Sequence, residues 1–378
     1  MKLDKLDFVV FILVALCLAG VAIAAYLIDP ARQAIEVAYL YPALGSPQNV
    51  WLSDIGTPGH QRQLTFSERG VSDFDISPDG RWLVYAEHSD GRGVALRLLD
   101  MRGGKDRDLV DCASVSALCT APVFSPNGEL LAYQRSESLG ASFGLSRIWL
   151  VDMLSADYDT APLIGDTQIV GHSAVWSADS NMVGFYSAET AQPGILLYSL
   201  SPPAEDEVQL RFIPTSYGVM GTLSPNGQQI IFPDLVFRDG QFYGHLQIAD
   251  LAAKEFAAFT DSNGPFDDVA AQFSPDGRTV AIARRYTDTR WTQGHQLYIR
   301  ALVGYGADWQ ALAYDPDYNT SYFRWDADGE RLVTQRFPFV VDQESGVPAR
   351  PEVWVHDLTS GESRKIIDDA YLPKWVAR

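Results

Sequence analysis

ISPDGRWLVYA (76–86), FSPNGELLAYQ (124–134), WSADSNMVGFY (176–186), LSPNGQQIIFP (223–233), FSPDGRTVAIA (273–283) and WDADGERLVTQ (325–335) are one pattern written six times. Each begins with an apolar or aromatic residue, passes through a Ser-Pro-Asp-Gly-like turn and continues as a β-rich strand. The first turn residues, Ser77, Ser125, Ser177, Ser224, Ser274 and Asp326, recur about every fifty positions, which is the spacing of a repeat architecture. Proline pre-sets the first central φ of the turn, Asp or Asn bonds back to the local backbone, and Gly accepts a positive φ. A further strand follows each turn-strand pair, as in RIWLVD (147–152), HLQIAD (245–250) and EVWVHDL (352–358). Most repeats add a short fourth, such as QLRFI (209–213) or RKII (364–367). Four antiparallel strands per repeat make the blade of a β-propeller, which hides its two faces against neighbouring blades.

The ends of the chain set the expected ring. EVAYLY (36–41), NVWLSDI (49–55) and RQLTF (62–66) supply second, third and fourth strands without an inner strand, whereas LPKWV (372–376) is an inner strand with no blade after it. Joined, they form one composite blade and leave no free sheet edge. The expectation is an all-β, seven-bladed propeller over 36–378, with six blades as the alternative. The SPDG turns, the [LIV]-x-[YF] strands after them and the aromatic-containing third strands resemble the TolB-like, WD-repeat-like propeller family. That resemblance extends over 36–378 and implies an exported propeller that binds other proteins or envelope polymers. Two repeats depart from it, since 176–180 and 325–329 have lost the proline and the former also its glycine.

Residues 8–28 (FVVFILVALCLAGVAIAAYLI) are 21 uncharged, mostly apolar residues, enough to cross a hydrocarbon core. They read as an N-terminal transmembrane signal anchor. Residues 1–7, with Lys2 and Lys5, fall on the cytoplasmic side, 29–35 form a linker, and the propeller lies on the extracytoplasmic side of the cytoplasmic membrane. Ala22-Ile23-Ala24 supports the competing reading, a cleaved signal peptide. With 48 acidic against 29 basic residues and a net charge of −19, the chain repels phosphate backbones, so nucleic acid is not expected as a partner. Cys112 and Cys119 have six residues between them, and an oxidising compartment would let them form a disulfide.

No catalytic constellation stands out, and the sequence assigns no metal and no cofactor. GHSAV (171–175) lacks the last glycine of a nucleophile elbow and precedes a blade strand. Asp315, Asp317 and Asn319 alternate like calcium ligands, but Thr320 stands where such a loop needs glycine, and an acidic solvated loop is the preferred reading. His245 and His295 begin matching third strands, and His172 alone precedes an inner strand; a metal-dependent sugar lyase would need a histidine cluster at the channel.

The loops joining second to third strands are longer than the SPDG turns and share the opposite face, which is therefore the expected binding face. Aligned second strands place Glu87, Arg135, Asp234, Arg284 and Arg336 in one column near that face. The column reads either as salt bridges between blades or as a charged ring at the channel mouth. Arg135, Arg284 and Arg336, with the nearby aromatics Phe237, Trp291, Phe337 and Phe339, are the candidate partner-binding residues, and Phe242 lies beside them. The expected function is a membrane-anchored scaffold for a protein or envelope polymer. The alternatives are a propeller-type polysaccharide lyase or hydrolase, or a structural subunit of a membrane complex.

Overall fold

The computed structural model describes residues 35–45, 47–57, 59–188, 192–201, 208–302, 308–339 and 349–376, and the propeller occupies the unit Glu36–Arg378. Strands β1 (Glu36–Tyr41), β2 (Asn49–Asp54) and β3 (Gln61–Gln63) open it. Strands β4 (Val71–Ile76), β5 (Trp82–His88), β6 (Val94–Asp100) and β7 (Asp106–Val110) follow, then β8 (Leu118–Phe124), β9 (Leu130–Ser136), β10 (Arg147–Asp152) and β11 (Thr160–Pro162). The next four are β12 (His172–Trp176), β13 (Met182–Ser187), β14 (Gly194–Ser199) and β15 (Leu210–Pro214), succeeded by β16 (Thr222–Leu223), β17 (Gln229–Arg238), β18 (Gln241–Asp250) and β19 (Glu255–Ala258). Strands β20 (Phe266–Phe273), β21 (Thr279–Tyr286), β22 (Gln296–Ala301) and β23 (Gln310–Ala313) precede β24 (Tyr318–Trp325), β25 (Arg331–Pro338), β26 (Glu352–Asp357) and β27 (Ser363–Asp368), and β28 (Tyr371–Val376) comes last.

Five four-stranded sheets stand as separate blades: β28-β1-β2-β3, β12–β15, β16–β19, β20–β23 and β24–β27. The expectation of seven separate blades, or of six, is corrected here, because β4–β11 form one eight-stranded sheet. The cause is local. Cys112 and Cys119 are joined by a disulfide with their Cα atoms 6.0 Å apart, and the loop between them lies against the start of β6, where Val94 N donates to Ala117 O at 3.0 Å. Leu118 thereby pairs in parallel with Val94. Gly93 permits the approach, since a β-carbon there would lie 2.6 Å from Ala113 Cα.

The expected membrane helix is also corrected. Among the described residues no helix is long and apolar enough to cross a membrane, and residues 8–28 lie outside them. The single-pass membrane location built on that helix is set aside with it. The strands that are described satisfy their backbone groups within sheets and bury their apolar residues against neighbouring sheets.

The repeated turns behave as their chemistry requires. Ser77 Oγ donates to Asp79 Oδ1 at 2.5 Å and accepts from Trp82 N at 2.8 Å, while Gly80 takes φ of 65°. In the variant turn Ser180 adopts φ of 62° in place of glycine, and its hydroxyl accepts Asn127 N at 3.0 Å from the preceding turn. Asp326 replaces the serine by accepting Glu330 N and Arg331 N at 2.9 and 3.0 Å.

Strand side chains alternate between two buried faces. In β1, Val37 and Tyr39 pack with Val333, Val353 and Val355, whereas Ala38 and Leu40 pack with Val50, Phe74 and Leu83. Each buried Val, Leu or Phe among them contributes roughly 1.5–3 kcal/mol by leaving water. β28 runs antiparallel to β1, with Glu36 opposite Val376, and the Trp375 indole donates to Arg324 O at 3.0 Å. The inner strands β4, β8, β12, β20 and β24, and β28 against β1, each carry a register shift. Such bulges re-aim side chains, here toward a central cavity of about 850 Å³. Three cavity-lining residues, Ala121, Ser173 and Leu372, hold positive φ at these bulges.

Candidate functional site

On the longer-loop face, the aligned charges turn into their own sheets. Arg284, 3% exposed, makes a two-point contact with the fully buried Asp268, Nε to Oδ1 at 2.7 Å and Nη2 to Oδ2 at 2.8 Å. Asp268 is its cross-strand partner on β20, and the guanidinium lies 3.8 Å from the Phe266 ring centroid. Burial pushes the Asp268 carboxyl up from its ordinary range, with the Arg284 contact opposing it. Arg336 is sandwiched against Tyr318 and Trp354 at 4.2 and 5.0 Å and reaches Asp315 at 3.5 Å. Arg135 lies over Trp149 and bonds Glu137 at 2.7 Å. Glu87 meets Arg97 at 3.5 Å, and Asp234 accepts Gln247 Nε2 at 2.8 Å.

The aromatic candidates divide. Phe339 packs on Gly294 and its N–H donates to Asp317 O at 2.7 Å, and Phe337 is half-buried opposite Asn319, so both tie loops together. Phe237, Phe242 and Trp291 instead stand 62%, 67% and 60% exposed. Phe237 and Phe242 pair at 5.0 Å near the tip of the hairpin made by the ten-residue strands β17 and β18. Arg238, between them in sequence, holds the hairpin down. It donates to Ser262 O at 3.1 Å, to Phe266 O at 2.8 Å and to Gly264 O, and covers the Tyr243 ring at 4.5 Å. Trp291 lies in the β21–β22 loop beside Arg290, which bonds Asp288 at 2.6 Å and stacks on Tyr286 at 3.6 Å.

A second constellation lies at the cavity itself. His295 lines it, and its Nε2 is 3.0 Å from Asp267 Oδ2, which also receives Arg285 Nη2 at 3.0 Å. Gly244 N donates to Asp267 Oδ1 at 2.6 Å, an approach open because a β-carbon at Gly244 would meet Asp268 O at 2.4 Å. Burial works against the Asp267 carboxylate, yet His295, Gly244 and Arg285 together hold it below its usual range. Tyr217, also lining the cavity, is pushed up to about 12 by burial and by the charge of Asp267. An Asp-oriented imidazole sharing a cavity with a phenol is an arrangement suited to moving a proton.

His295, just before the third strand β22, thus meets Asp267 at the start of the inner strand β20. The signal available in the sequence was Asp267, an acid at the beginning of an inner strand. Asp315 and Asp317 form a local turn, with Asp317 N on Asp315 Oδ1 at 3.1 Å, and Asn319 accepts His295 N at 2.9 Å. Among the described residues no three His, Cys, Asp or Glu side chains converge as a metal-binding group.

No family model matches the chain. The TolB structure from Acinetobacter baumannii superimposes with a TM-score of 0.50 at 15% identity, covering 91% of this chain and 67% of that one. Oligogalacturonate lyase in complex with manganese superimposes with a TM-score of 0.57 at 16% identity, covering 83% of each chain. The U3 small nucleolar RNA-associated protein 21 homolog of Schizosaccharomyces pombe is 26% identical over 179 residues, 47% of this chain and 17% of its own length. The chain thus corresponds to less than a fifth of that curated relative. Across these structures the likeness is one of fold.

Proposed function

We propose, from the premise that this chain carries a TolB-like β-propeller, that it is a protein-interaction platform whose longer-loop face docks a protein partner through Phe237, Phe242 and Trp291. The observation that carries this reading is the Phe237–Phe242 pair, two thirds exposed and held in place by Arg238. Exposed aromatics on a rigid support are the residues that anchor interfaces, and a hairpin already fixed loses little freedom on binding. The charged column contributes rigidity under that face chiefly through the buried two-point contact of Arg284 with Asp268. A Phe237→Ala, Phe242→Ala, Trp291→Ala variant is expected to keep the wild-type unfolding midpoint and to lose crosslinked partners recovered with the wild type. Recovery of the same partners at the same yield would refute this face.

A second reading is an acid–base enzyme of the lyase or hydrolase class, favoured by the Asp267–His295 pair beside Tyr217 and in keeping with the fold shared with oligogalacturonate lyase. A turnover lost in His295→Gln and kept in the aromatic variant would favour it over docking.

A further inference from the structure

The cavity wall is divided by chemistry. On β8, β12 and β16, and on the segment leading into β16, it presents Ala121, Val123, Val175 and Met220, interspersed with the hydroxyls of Ser173, Tyr217 and Thr222. On the neighbouring inner strands β24, β28 and β4 it presents Tyr322, Arg324, Lys374 and Asp73. Two of the charges near this wall neutralise each other. Lys374 Nζ lies 3.0 Å from Asp75 Oδ1 and also contacts Phe74 O, while Asp75 Oδ2 accepts Phe124 N at 2.7 Å. The pair fastens β28 to β4 and engages two of the three ammonium hydrogens.

Asp73 and Arg324 are not so engaged. Asp73 accepts only the adjacent Phe74 N, at 2.7 Å, and among the described residues no cation lies within ion-pair distance of it. Arg324 Nε donates to the Tyr322 hydroxyl at 3.0 Å, and its Nη1 faces the side-chain oxygen of Gln272 in that amide's hydrogen-bonded orientation. No carboxylate pairs with it among the described residues. Burial pushes the Asp73 carboxyl above its ordinary value, with Lys374 foremost and the charge of Arg324 also opposing it. Arg324 is exposed and lines the cavity. A carboxylate and a guanidinium that make no ion-pair contact at bonding distance therefore share one cavity, on strands that flank β28, together with Val123, Val175 and Met220.

We propose that this cavity binds a small zwitterion, an ammonium and a carboxylate on an apolar body, as in a free apolar amino acid. Asp73 receives the ammonium, Arg324 the carboxylate, and the Val123, Val175 and Met220 wall takes the side chain. A charge-assisted contact at each end gives orientation as well as affinity. Phosphate is disfavoured by the two aspartates, and a divalent cation by Arg324 and Lys374. The cavity is of the size that holds small ligands, and the site is separate from the exposed aromatic face.

Calorimetric titration of the full chain tests the assignment with three probes: L-leucine, 4-methylpentanoate, which lacks the ammonium, and 3-methylbutylamine, which lacks the carboxylate. Leucine is expected to bind, and each single-charge analogue to bind at least about tenfold more weakly. Asp73→Asn should abolish the preference for leucine over 4-methylpentanoate, and Arg324→Gln the preference over 3-methylbutylamine. No leucine binding, or an analogue binding as tightly as leucine, would overturn the proposal. If either variant fails to fold, the three probes on the wild type still decide.

Discussion

His356 is buried between Thr334 Oγ1, 3.0 Å from Nε2, and Ser363 Oγ, 2.8 Å from Nδ1. Burial, reinforced by the charge of Arg336, lowers its pKa to about 3. An unfolded histidine takes its proton near pH 6.5, so between these values the unfolded chain binds more protons than the folded one. Stability therefore rises with pH across that window and is lost as pH falls through it. From pH 7 to pH 5 this residue accounts for a loss of about 2 kcal/mol. Denaturant titration at both pH values should show His356→Gln losing less stability than the wild type by that amount; equal losses would exclude the role. At this scale the sequence was only half legible. Repeat alignment groups Arg284 and Arg336 by position, but their partners depend on cross-strand register, which puts Asp268 opposite Arg284 and keeps the charge inside the sheet. A truncated Arg284 would leave Asp268 as a buried charge without its counterion.

Single elements depart from the repeat where backbone meets backbone. The eight-stranded sheet exists because the Cys112–Cys119 loop comes close enough to Gly93 that no side chain fits between them. Gly93→Ala should cost about 1–3 kcal/mol by overpacking. Gly91→Ala, where the nearest atom to a new β-carbon is Ser89 Oγ at 3.8 Å, should be nearly neutral by the same denaturation measurement. Equal midpoints for the two variants would show that the approach at Gly93 is not tight. The two cysteines were visible in the sequence, but the fusion of sheets they accompany was not, since strand patterns carry no record of a single parallel bridge. Likewise 233–244 reads as one of the longer loops, whereas it continues the strands of the β17–β18 hairpin to a turn of residues 239 and 240, and the anchoring of that tip could not be read either. Arg238 holds it through carbonyls of residues 262–266, and carbonyls are chemically alike in every sequence.

For the molecule as a whole, the leftover-strand argument and the observed pairing of β28 with β1 rest on the same need, which is that no sheet edge or apolar face be left open. That need could be read from strand inventory alone because each unit repeats the same order. The cavity chemistry could not, because it arises from bulges that turn individual residues toward the axis. Trp375→Phe removes the indole bond to Arg324 O and should cost roughly 1 kcal/mol. Amide exchange should then quicken in β1 and β24 together; faster exchange in one alone would mean that the seam does not couple the two.

Since Glu36 and Val376 face each other on adjacent antiparallel strands, a loop of a few residues would suffice to join them. The chain could then be reopened at another turn, such as residues 225–228, giving a circular permutant that keeps every strand pairing. For this architecture the order in which the units are synthesised and the order in which they touch are separable, and the ring has no intrinsic first blade.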